Sequence, residues 1–307
     1  MPKLLPEMPA TQDCSRGLHK PDWLRRRLPV GGNCEQTRAF LARKGLCTVC
    51  EEARCPNRWE CFSRRTATFM IMGRRCTRNC RFCSVLNGPL GPPDPEEPVR
   101  VAGAAREMGL RHVVVTSVTR DDLRDQGAGC FVQTIREIRR QLPQASVEVL
   151  LPDFGGSTTC LQQVVDAGPD VLNHNIETVA GLYQRVRPEA NYRRSLNVLA
   201  EAAAARPDMP VKSGIMLGLG ENRTAVVRTL SDLLAAGCSM LTIGQYLQPT
   251  PRHLPVEEYF TPDIFEGWRQ CALDAGFAAV ASGPLVRSSY RAREMFMRVY
   301  PSEGLSI

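Results

Sequence analysis

The sequence lacks three features that would place the chain in common classes of protein. It has no apolar run of the roughly 18 residues that a membrane-spanning helix needs. Its first ten residues hold charged side chains and three prolines instead of an apolar segment, so we expect no secretion signal and a cytoplasmic location. No internal repeat is visible. The sequence therefore predicts neither a membrane protein nor a repeat protein.

A long basic segment is also missing, although the net charge is +7. Without such a segment, nothing requires a nucleic acid as a partner. The positive charge fits an acidic protein partner and an ordinary solvated surface equally well. The run from Arg25 to Arg27 is the place where an acidic partner could bind.

Cysteine, in contrast, is abundant, with thirteen in the chain. An odd number in a chain expected to be cytoplasmic argues against a disulfide framework. Seven of the cysteines are clustered in one part of the sequence: Cys47, Cys50, Cys55, Cys61, Cys76, Cys80 and Cys83. Clustered cysteines in a reducing compartment are typical of metal binding.

The apolar pattern divides the chain into three regions. Residues 1–65 are expected to form an N-terminal extension, with an extended arm or a few short helices over residues 1–45 and a cysteine-rich segment over residues 46–65. Residues 66–250 show a regular pattern and are expected to form the central domain. Residues 251–307 are expected to form a C-terminal extension.

From residue 66 onward, short apolar runs alternate with longer amphipathic segments. Continuous apolar runs predict buried parallel strands at residues 66–72, 112–118, 147–151, 171–174, 211–217 and 240–247. Helical periodicity predicts helices at residues 99–108, 130–141, 158–167, 182–205 in two pieces, 224–236 and 262–275. A further apolar run follows at residues 277–281. Gly168 and Gly237 are expected to end two of the helices.

Six strand–helix units in a row predict an α/β fold with a parallel sheet and right-handed crossovers. A closed barrel needs eight such units. Six units favour a partial (β/α)6 TIM-like barrel, open on one side, over a doubly wound sheet, although periodicity alone does not separate the two. An open barrel would leave room for a bulky substrate.

Three cysteines follow the first predicted strand, and we call them the loop triad: Cys76, Cys80 and Cys83. Loops at the carboxyl ends of barrel strands carry the active site. Three thiolates at this spacing can bind a 4Fe–4S cluster and leave one iron open to a substrate. A three-cysteine zinc site is the alternative.

A second group of cysteines lies in a segment without a strand pattern, and we call it the N-terminal triad: Cys50, Cys55 and Cys61. Its spacing differs from the paired short spacings of structural zinc sites. Cys47 and Cys50 do form one such pair, so a four-cysteine zinc knot remains an alternative. Two incomplete triads side by side favour a second iron–sulfur cluster.

At this point the sequence resembles a known family. The loop triad, with Phe82 before its last cysteine, resembles the signature of radical S-adenosylmethionine enzymes. The N-terminal triad, in the context of residues 49–57, resembles the auxiliary-cluster motif of lipoyl synthases. Further similarity to that family lies at residues 116–123, 151–154, 173–178, 212–221, 244–249 and 283–290. The resemblance extends from about residue 20 to residue 292.

The resemblance implies a function. A lipoyl synthase inserts two sulfur atoms at carbons 6 and 8 of an octanoyl-lysine on a carrier protein. The cluster on the loop triad would bind S-adenosylmethionine, which is cleaved to a 5′-deoxyadenosyl radical, and the second cluster would supply the sulfur. No acid–base group removes hydrogen from unactivated carbon at neutral pH, so a cofactor must carry this chemistry.

The resemblance also implies a serine as the fourth ligand of the second cluster. It assigns this role to Ser289, with Ser288 as the alternative. A serine oxygen is a hard ligand among soft thiolates, so it should be released more easily than cysteine. The residues alone would instead predict a helix N-cap at these two serines.

Four residues are expected to contact S-adenosylmethionine: Phe82, Thr116, Asn175 and Glu177. The last two follow a strand at the active-site face, where the alternative is a helix cap with a first-turn carboxylate. The implied protein partners are octanoylated carrier domains, either of 2-oxoacid dehydrogenase acyltransferases or of the glycine cleavage H protein. Reduced flavodoxin or ferredoxin is the implied electron donor, and no nucleic acid or membrane is expected.

Less specific signals are expected to have local roles. His174 is expected to be an interior histidine with its hydrogen bonds satisfied. Gly218 and Gly220 are expected either to form a tight turn or to let the backbone approach a cofactor.

Two features depart from the family pattern. Cys47 is additional to the family motif, and Arg74 with Arg75 stands where the family usually has an acidic residue, which adds positive charge near the loop triad. Two other functions remain as alternatives. One is a different radical sulfur-insertion enzyme, such as a biotin-synthase-like or methylthio-transferring one. The other is a non-catalytic zinc-binding interaction protein.

Overall fold

The computed structural model describes residues 19–25 and 32–300. The predictions for residues 1–18, 26–31 and 301–307 lie outside the described residues. In the N-terminal extension the described residues form a 3-10 helix at Asp22–Leu24 and three α-helices: α1 (Asn33–Arg43), α2 (Val49–Glu52) and α3 (Arg58–Ser63). The cysteine-rich segment therefore consists of two short helices and their connections.

The core of the fold is a parallel sheet of seven strands. These are β1 (Thr68–Ile71), β4 (His112–Ser117), β5 (Ser146–Leu150), β6 (Val171–Asn173), β7 (Val211–Leu217), β8 (Met240–Gln245) and β9 (Ala279–Gly283). A separate two-stranded ribbon, β2 (Arg75–Cys76) and β3 (Leu86–Asn87), lies in the loop after β1. The strands of the main sheet follow one another in chain order. Because the order never reverses, the sheet is wound in one direction, as in a barrel.

Six of the seven strands are followed by helices on the outside of the sheet. These helices are α4 (Glu97–Glu107), α5 (Ala128–Gln141), α6 (Thr158–Asp166), α7 (Tyr183–Val186), α8 (Tyr192–Ala205), α9 (Arg223–Ala235) and α10 (Pro262–Ala275). The predicted (β/α)6 partial barrel is confirmed. The apolar run at residues 277–281 supplies the seventh strand, β9, which pairs with β8.

Local signals in the sequence fix several helix ends. Four α-helices begin after a residue whose side chain accepts a hydrogen bond from the backbone, namely Thr48, Ser157, Asn191 and Asn222. Gly168 and Gly237 follow helices and adopt φ values of +78° and +80°, as predicted. In the part of the chain that the structure describes, no helix has both the length and the apolar character to cross a bilayer.

The two extensions meet at the open side of the barrel, whose edge strands are β1 and β9. On β1, the backbone N–H of Met70 donates to the carbonyl of Cys47 at 2.9 Å, so the cysteine-rich segment covers this edge. A last helix, α11 (Ala292–Val299), contacts both β4 and β9. Its Phe296 ring lies 5.5 Å from the ring of His112, the first residue of β4. The connection from β9 to α11 therefore runs along the gap in the barrel.

Candidate active site

A cavity of about 560 Å³ lies at the carboxyl ends of the strands. Its walls come from the loops after the strands of the barrel and from both extensions. This is the face on which barrel enzymes place their active sites. The N-terminal extension contributes Val49, Arg54 and Pro56, and the C-terminal connection contributes Val286 to Ser288.

All three cysteines of the loop triad line this cavity. The Sγ of Cys76 accepts hydrogen bonds from the backbone N–H groups of Thr119, at 3.3 Å, and Arg78, at 3.4 Å. Burial raises the pKa of the Cys80 thiol and raises that of Cys83 to about 12, and the neighbouring thiols of the triad add to both shifts. A free Cys83 thiol would therefore be protonated at neutral pH, and metal binding there must displace its proton.

A buried ion-pair network holds the loop that carries the triad. The Arg78 guanidinium donates to both oxygens of Asp121, at 2.7 and 2.8 Å, and to Asp153 Oδ1 at 2.7 Å. Asp153 also lies 2.8 Å from Arg194 Nε, at an angle that is not that of a hydrogen bond. Although burial acts in the opposite direction, the hydrogen bond and charge of Arg78, with a smaller contribution from the charge of Arg194, lower the pKa of Asp153 to about 2. The network was missed in the sequence, although Asp121 and Asp153 lie in segments that resemble the family.

Several buried polar atoms of the cavity wall have no hydrogen-bond partner within the described residues. Apart from Asp153 Oδ2, which faces Arg194, they are the Ser117 hydroxyl, the Asn175 Oδ1 and the Arg187 Nε. Buried polar groups are nearly always satisfied in folded proteins, so such atoms indicate a missing ligand. A cationic group, an amide carbonyl and a hydroxyl would match a ligand with a carboxylate, hydroxyls and an ammonium group. S-adenosylmethionine has all of these, and the cavity therefore fits it.

The four residues predicted to contact S-adenosylmethionine all line the cavity: Phe82, Thr116, Asn175 and Glu177. The Asn175 amide donates to Glu177 Oε1 at 3.1 Å. Glu177 has a φ of +66°, and its backbone pairs with Ile215 of β7. A left-handed non-glycine residue in a site of this kind is typical of a functional constraint. No helix begins at Asn175 or Glu177, so the alternative of a helix cap with a first-turn carboxylate is wrong for them.

Two glycines of the cavity wall leave space that a side chain would fill. A Cβ on Gly214 would lie 2.7 Å from Thr242 Oγ1 and 2.8 Å from Asn175 Oδ1. A Cβ on Gly244 would lie 2.2 Å from the backbone oxygen of Val286. The second contact is with backbone, which cannot rotate away. Gly244 therefore allows the C-terminal connection to pack against the barrel wall.

The thiols of the N-terminal triad lie close together outside the cavity lining. The charge of Cys55 raises the pKa values of both Cys50 and Cys61, after burial, which is the larger cause. The pKa of Cys50 reaches about 12 and that of Cys61 about 11. The segment is compact, since the Cys55 N–H donates to the Cys50 carbonyl at 3.1 Å.

The C-terminal connection binds the segment of the N-terminal triad. The Asn57 amide donates to the carbonyl of Leu285 at 2.6 Å, and the Tyr290 hydroxyl lies 3.1 Å from both carboxylate oxygens of Glu60. Between these contacts, Ser289 Oγ accepts a hydrogen bond from Thr68 Oγ1 at 2.9 Å. Ser288 instead lines the cavity. Since α11 begins at Ala292, the alternative of a helix N-cap at the two serines is wrong.

The two departures from the family pattern lie against each other. Arg74 Nε donates to the Sγ of Cys47 at 3.2 Å, and Arg74 also lies 3.5 Å from Glu52.

Within residues 19–25 and 32–300, no group of three or more histidine, cysteine or acidic side chains is placed to hold a single metal ion.

The structure also shows the surroundings of His174 and Gly218, whose sequence signals were less specific. His174 is buried, with Nδ1 2.8 Å from the Leu151 carbonyl and Nε2 3.0 Å from Ser195 Oγ, which confirms an interior histidine. Burial, followed by the charge of Arg187, lowers its pKa to about 4. The N–H of Gly218 donates to the carboxylate of Glu221 at 2.6 Å, which supports the prediction of a tight turn.

Comparisons with known proteins identify the family. Residues 70–233 match the radical SAM superfamily, and residues 8–55 match the N-terminal domain of lipoyl synthase of the radical SAM family. The chain is 54% identical to a lipoyl synthase of Desulfotalea psychrophila, over 91% of this chain and 93% of the relative. It is also 54% identical to a lipoyl synthase of Caldanaerobacter subterraneus, over 90% of this chain and 96% of the relative.

Solved structures support the fold alone. SuiB of Streptococcus suis, bound to S-adenosylmethionine, aligns with a TM-score of 0.50 and 8% identity over 78% of this chain and 52% of SuiB. The radical S-adenosylmethionine methyltransferase TsrM of Kitasatospora setae aligns with a TM-score of 0.50 and 14% identity, over 69% of this chain and 41% of TsrM. From the identity to its curated relatives over nine tenths of its length, the chain belongs to the lipoyl synthase family of the radical S-adenosylmethionine superfamily.

Proposed function

We propose specific roles for the residues of this lipoyl synthase. The enzyme is a sulfurtransferase that uses a 4Fe–4S cluster and S-adenosylmethionine and acts on an octanoylated protein. In our proposal, Cys76, Cys80 and Cys83 hold the cluster that binds S-adenosylmethionine. A second 4Fe–4S cluster is held by the N-terminal triad and Ser289, and it donates the sulfur atoms for carbons 6 and 8 of the octanoyl chain.

One observation carries the first assignment. The three thiols of the loop triad line the same cavity as three buried polar atoms without partners. When bound, the cluster supplies the electron that cleaves S-adenosylmethionine to the radical that removes hydrogen from the octanoyl chain. The donor set suits it, since three thiolates leave one iron open to the amino-acid part of the cofactor.

The remaining residues of the wall would bind and orient the cofactor. The Arg187 guanidinium is the candidate for its carboxylate, because its Nε is buried without a partner. Asn175 and Glu177 are the candidates for the ribose hydroxyls. Phe82 packs with the apolar group that includes Val186 and would exclude water from the reacting atoms. The Thr116 side chain, whose hydroxyl donates a hydrogen bond to the Leu150 carbonyl at 3.0 Å, would do the same.

The proposal for the second cluster rests on the contacts between the two extensions. The thiols of the N-terminal triad lie close enough to shift one another's pKa values. Ser289 lies between two anchors that tie the C-terminal connection to this segment. Three soft thiolates and one hard oxygen would give the cluster one bond that is easier to release than the others.

We propose octanoylated carrier domains of 2-oxoacid dehydrogenases or the glycine cleavage H protein as the substrates. The exposed Lys20 and Arg54 line the cavity and would attract an acidic carrier. Reduced flavodoxin or ferredoxin is the proposed electron donor. The free thiols of the triads need a reducing compartment, which supports a cytoplasmic location.

The proposed division of the chain keeps the boundaries expected from the sequence. Residues 1–65 carry the N-terminal triad, residues 66–250 carry the loop triad and six strands of the barrel, and residues 251–307 carry Ser289 and add α10 and β9 to the barrel. In this arrangement each cluster is built from a different part of the chain. The barrel supplies the radical chemistry, and the two extensions together supply the sulfur.

Anaerobic turnover of the reconstituted chain with an octanoyl-lysyl peptide, analysed by mass spectrometry, tests the function. We expect a product with two added sulfur atoms and about eight irons per chain before turnover, as two cubane clusters require. Alanine at any cysteine of the loop triad should abolish 5′-deoxyadenosine, whereas Cys271→Ala, outside both triads, should not. A chain that holds zinc and no iron, or a thiolated product other than lipoyl, would contradict the proposal.

A further inference from the structure

Thr68, the first residue of β1, contacts both parts of the second proposed cluster site. Its backbone N–H lies near the thiol of Cys50. Its hydroxyl donates to Ser289 Oγ at 2.9 Å. Cys50 comes from the N-terminal extension and Ser289 from the C-terminal one, so this single residue of the barrel lies between the two.

The position of Thr68 is itself well determined. The residue is 5% exposed, and its backbone pairs in register with Val114 of β4. A β-branched side chain on a strand is also restricted at χ1. The hydroxyl of Thr68 is therefore a donor with a fixed direction.

Ser289, in contrast, has little to fix its side chain. It lies in an irregular connection whose anchors are at Leu285 and Tyr290, and it is only half-buried. A serine hydroxyl can rotate freely among its rotamers. The bond from Thr68 selects the rotamer that points toward β1.

We propose that Thr68 is a positioning residue that holds Ser289 Oγ in place as the fourth ligand of the second cluster. This inference rests on the ligand role proposed for Ser289. Partners of this kind orient ligands and tune their bond to the metal. A hydroxyl that donates to a serine alkoxide forms a charge-assisted hydrogen bond, which stabilises the bound form.

The test compares Thr68→Val, which removes the hydroxyl and keeps the shape, with Thr68→Ser, which keeps the hydroxyl. Each variant is reconstituted anaerobically as the full chain, and the rate of iron release to a ferrous chelator is measured. Cleavage of S-adenosylmethionine reports the cluster of the loop triad independently. The melting temperature of each variant is measured in parallel, because a merely structural role would lower it without changing iron release.

In Thr68→Val we expect the iron of the second cluster, half of the total, to be released about five- to tenfold faster than in the wild type, which is the effect of one lost hydrogen bond. Thr68→Ser should behave as the wild type, and both should cleave S-adenosylmethionine normally. Combining Thr68→Val with Ser289→Ala should add nothing to Ser289→Ala alone, because Thr68 acts through the serine.

Three results would overturn the proposal, and they differ from a failure of the ligand assignment. Wild-type iron release from Thr68→Val, while Ser289→Ala releases iron rapidly, removes the role of Thr68 alone. Loss of iron from both clusters in Thr68→Val and Thr68→Ala shows a general folding role instead. Additive effects in the double variant show that Thr68 does not act through Ser289. If Ser289→Ala itself releases iron at the wild-type rate, the ligand assignment fails first.

Discussion

Replacing Arg78 by Met should destabilise the fold strongly, because it leaves a buried charge without its main partner. The Asp153 side chain is fully buried, and the Arg78 side chain is 7% exposed. Removing one partner of a buried pair costs about 3–5 kcal/mol of the free energy of unfolding. Arg194, 2.8 Å from Asp153, remains as a partial partner, which favours a loss of about 3 kcal/mol. Asp121 is 37% exposed and should add little, since solvent screens it.

The consequence is measurable by thermal unfolding of the metal-free chain under reducing conditions. For a chain of this size we expect a loss of about 3 kcal/mol to lower the melting temperature by about 5 °C. Arg75→Met is the matched control, because Arg75 lies in the same loop and is exposed. Adding Asp153→Asn to Arg78→Met should restore part of the loss, since the buried charge is then gone. A melting temperature for Arg78→Met within 1 °C of the control would refute the reasoning.

Three further predictions concern other parts of the molecule. Alanine at any cysteine of the N-terminal triad should preserve cleavage of S-adenosylmethionine and abolish the lipoyl product, and normal product by mass spectrometry would show that this triad is not the sulfur source. Cys47→Ala should retain all iron, because its thiol binds Arg74, whereas loss of about half the iron would favour the four-cysteine knot. Although burial opposes it, Lys212 and His112 lower the pKa of Glu148 to about 2. This pKa lies below the value of about 4.3 for a glutamate in the unfolded chain. The contribution of Glu148 to the free energy of unfolding should therefore be complete above about pH 4.3 and be lost as the pH falls toward 2. In this pH range, the melting temperature of Glu148→Gln should depend less on pH than that of the wild type.

Much of the fold could be predicted because its signals are local. Strand β7 and helix α10 have the predicted bounds, residues 211–217 and 262–275. Continuous apolar runs identify strands that are buried on both faces, and cap residues such as Asn222 mark where helices begin. Periodicity could not distinguish a barrel from a doubly wound sheet, because strands and helices alternate in the same way in both folds. The strand order decided it.

The candidate site, like the fold, could be predicted only in part from the sequence. The spacing of the cysteines predicted two triads, and each triad lies within a short stretch of chain, so its members are close together in any compact fold. The Arg78 network was not predictable, since Arg78 and Asp153 are separated by 75 positions. A single sequence carries no signal that joins two such residues. Arg187, whose Nε has no hydrogen-bond partner among the described residues, was missed for the same reason.

The sequence by itself determined the chemistry of this protein: which thiols occur at cluster spacing, which strands are buried and which family the chain resembles. Only the tertiary structure decided which distant groups meet. The hydrogen bond from Thr68 to Ser289 joins residues 221 positions apart, and it forms because β1 and β9 are the two edges of an open barrel. Local patterns follow from backbone geometry within a few residues. Contacts between residues so far apart in the sequence depend on how the whole sheet closes, and so they form only in the folded chain.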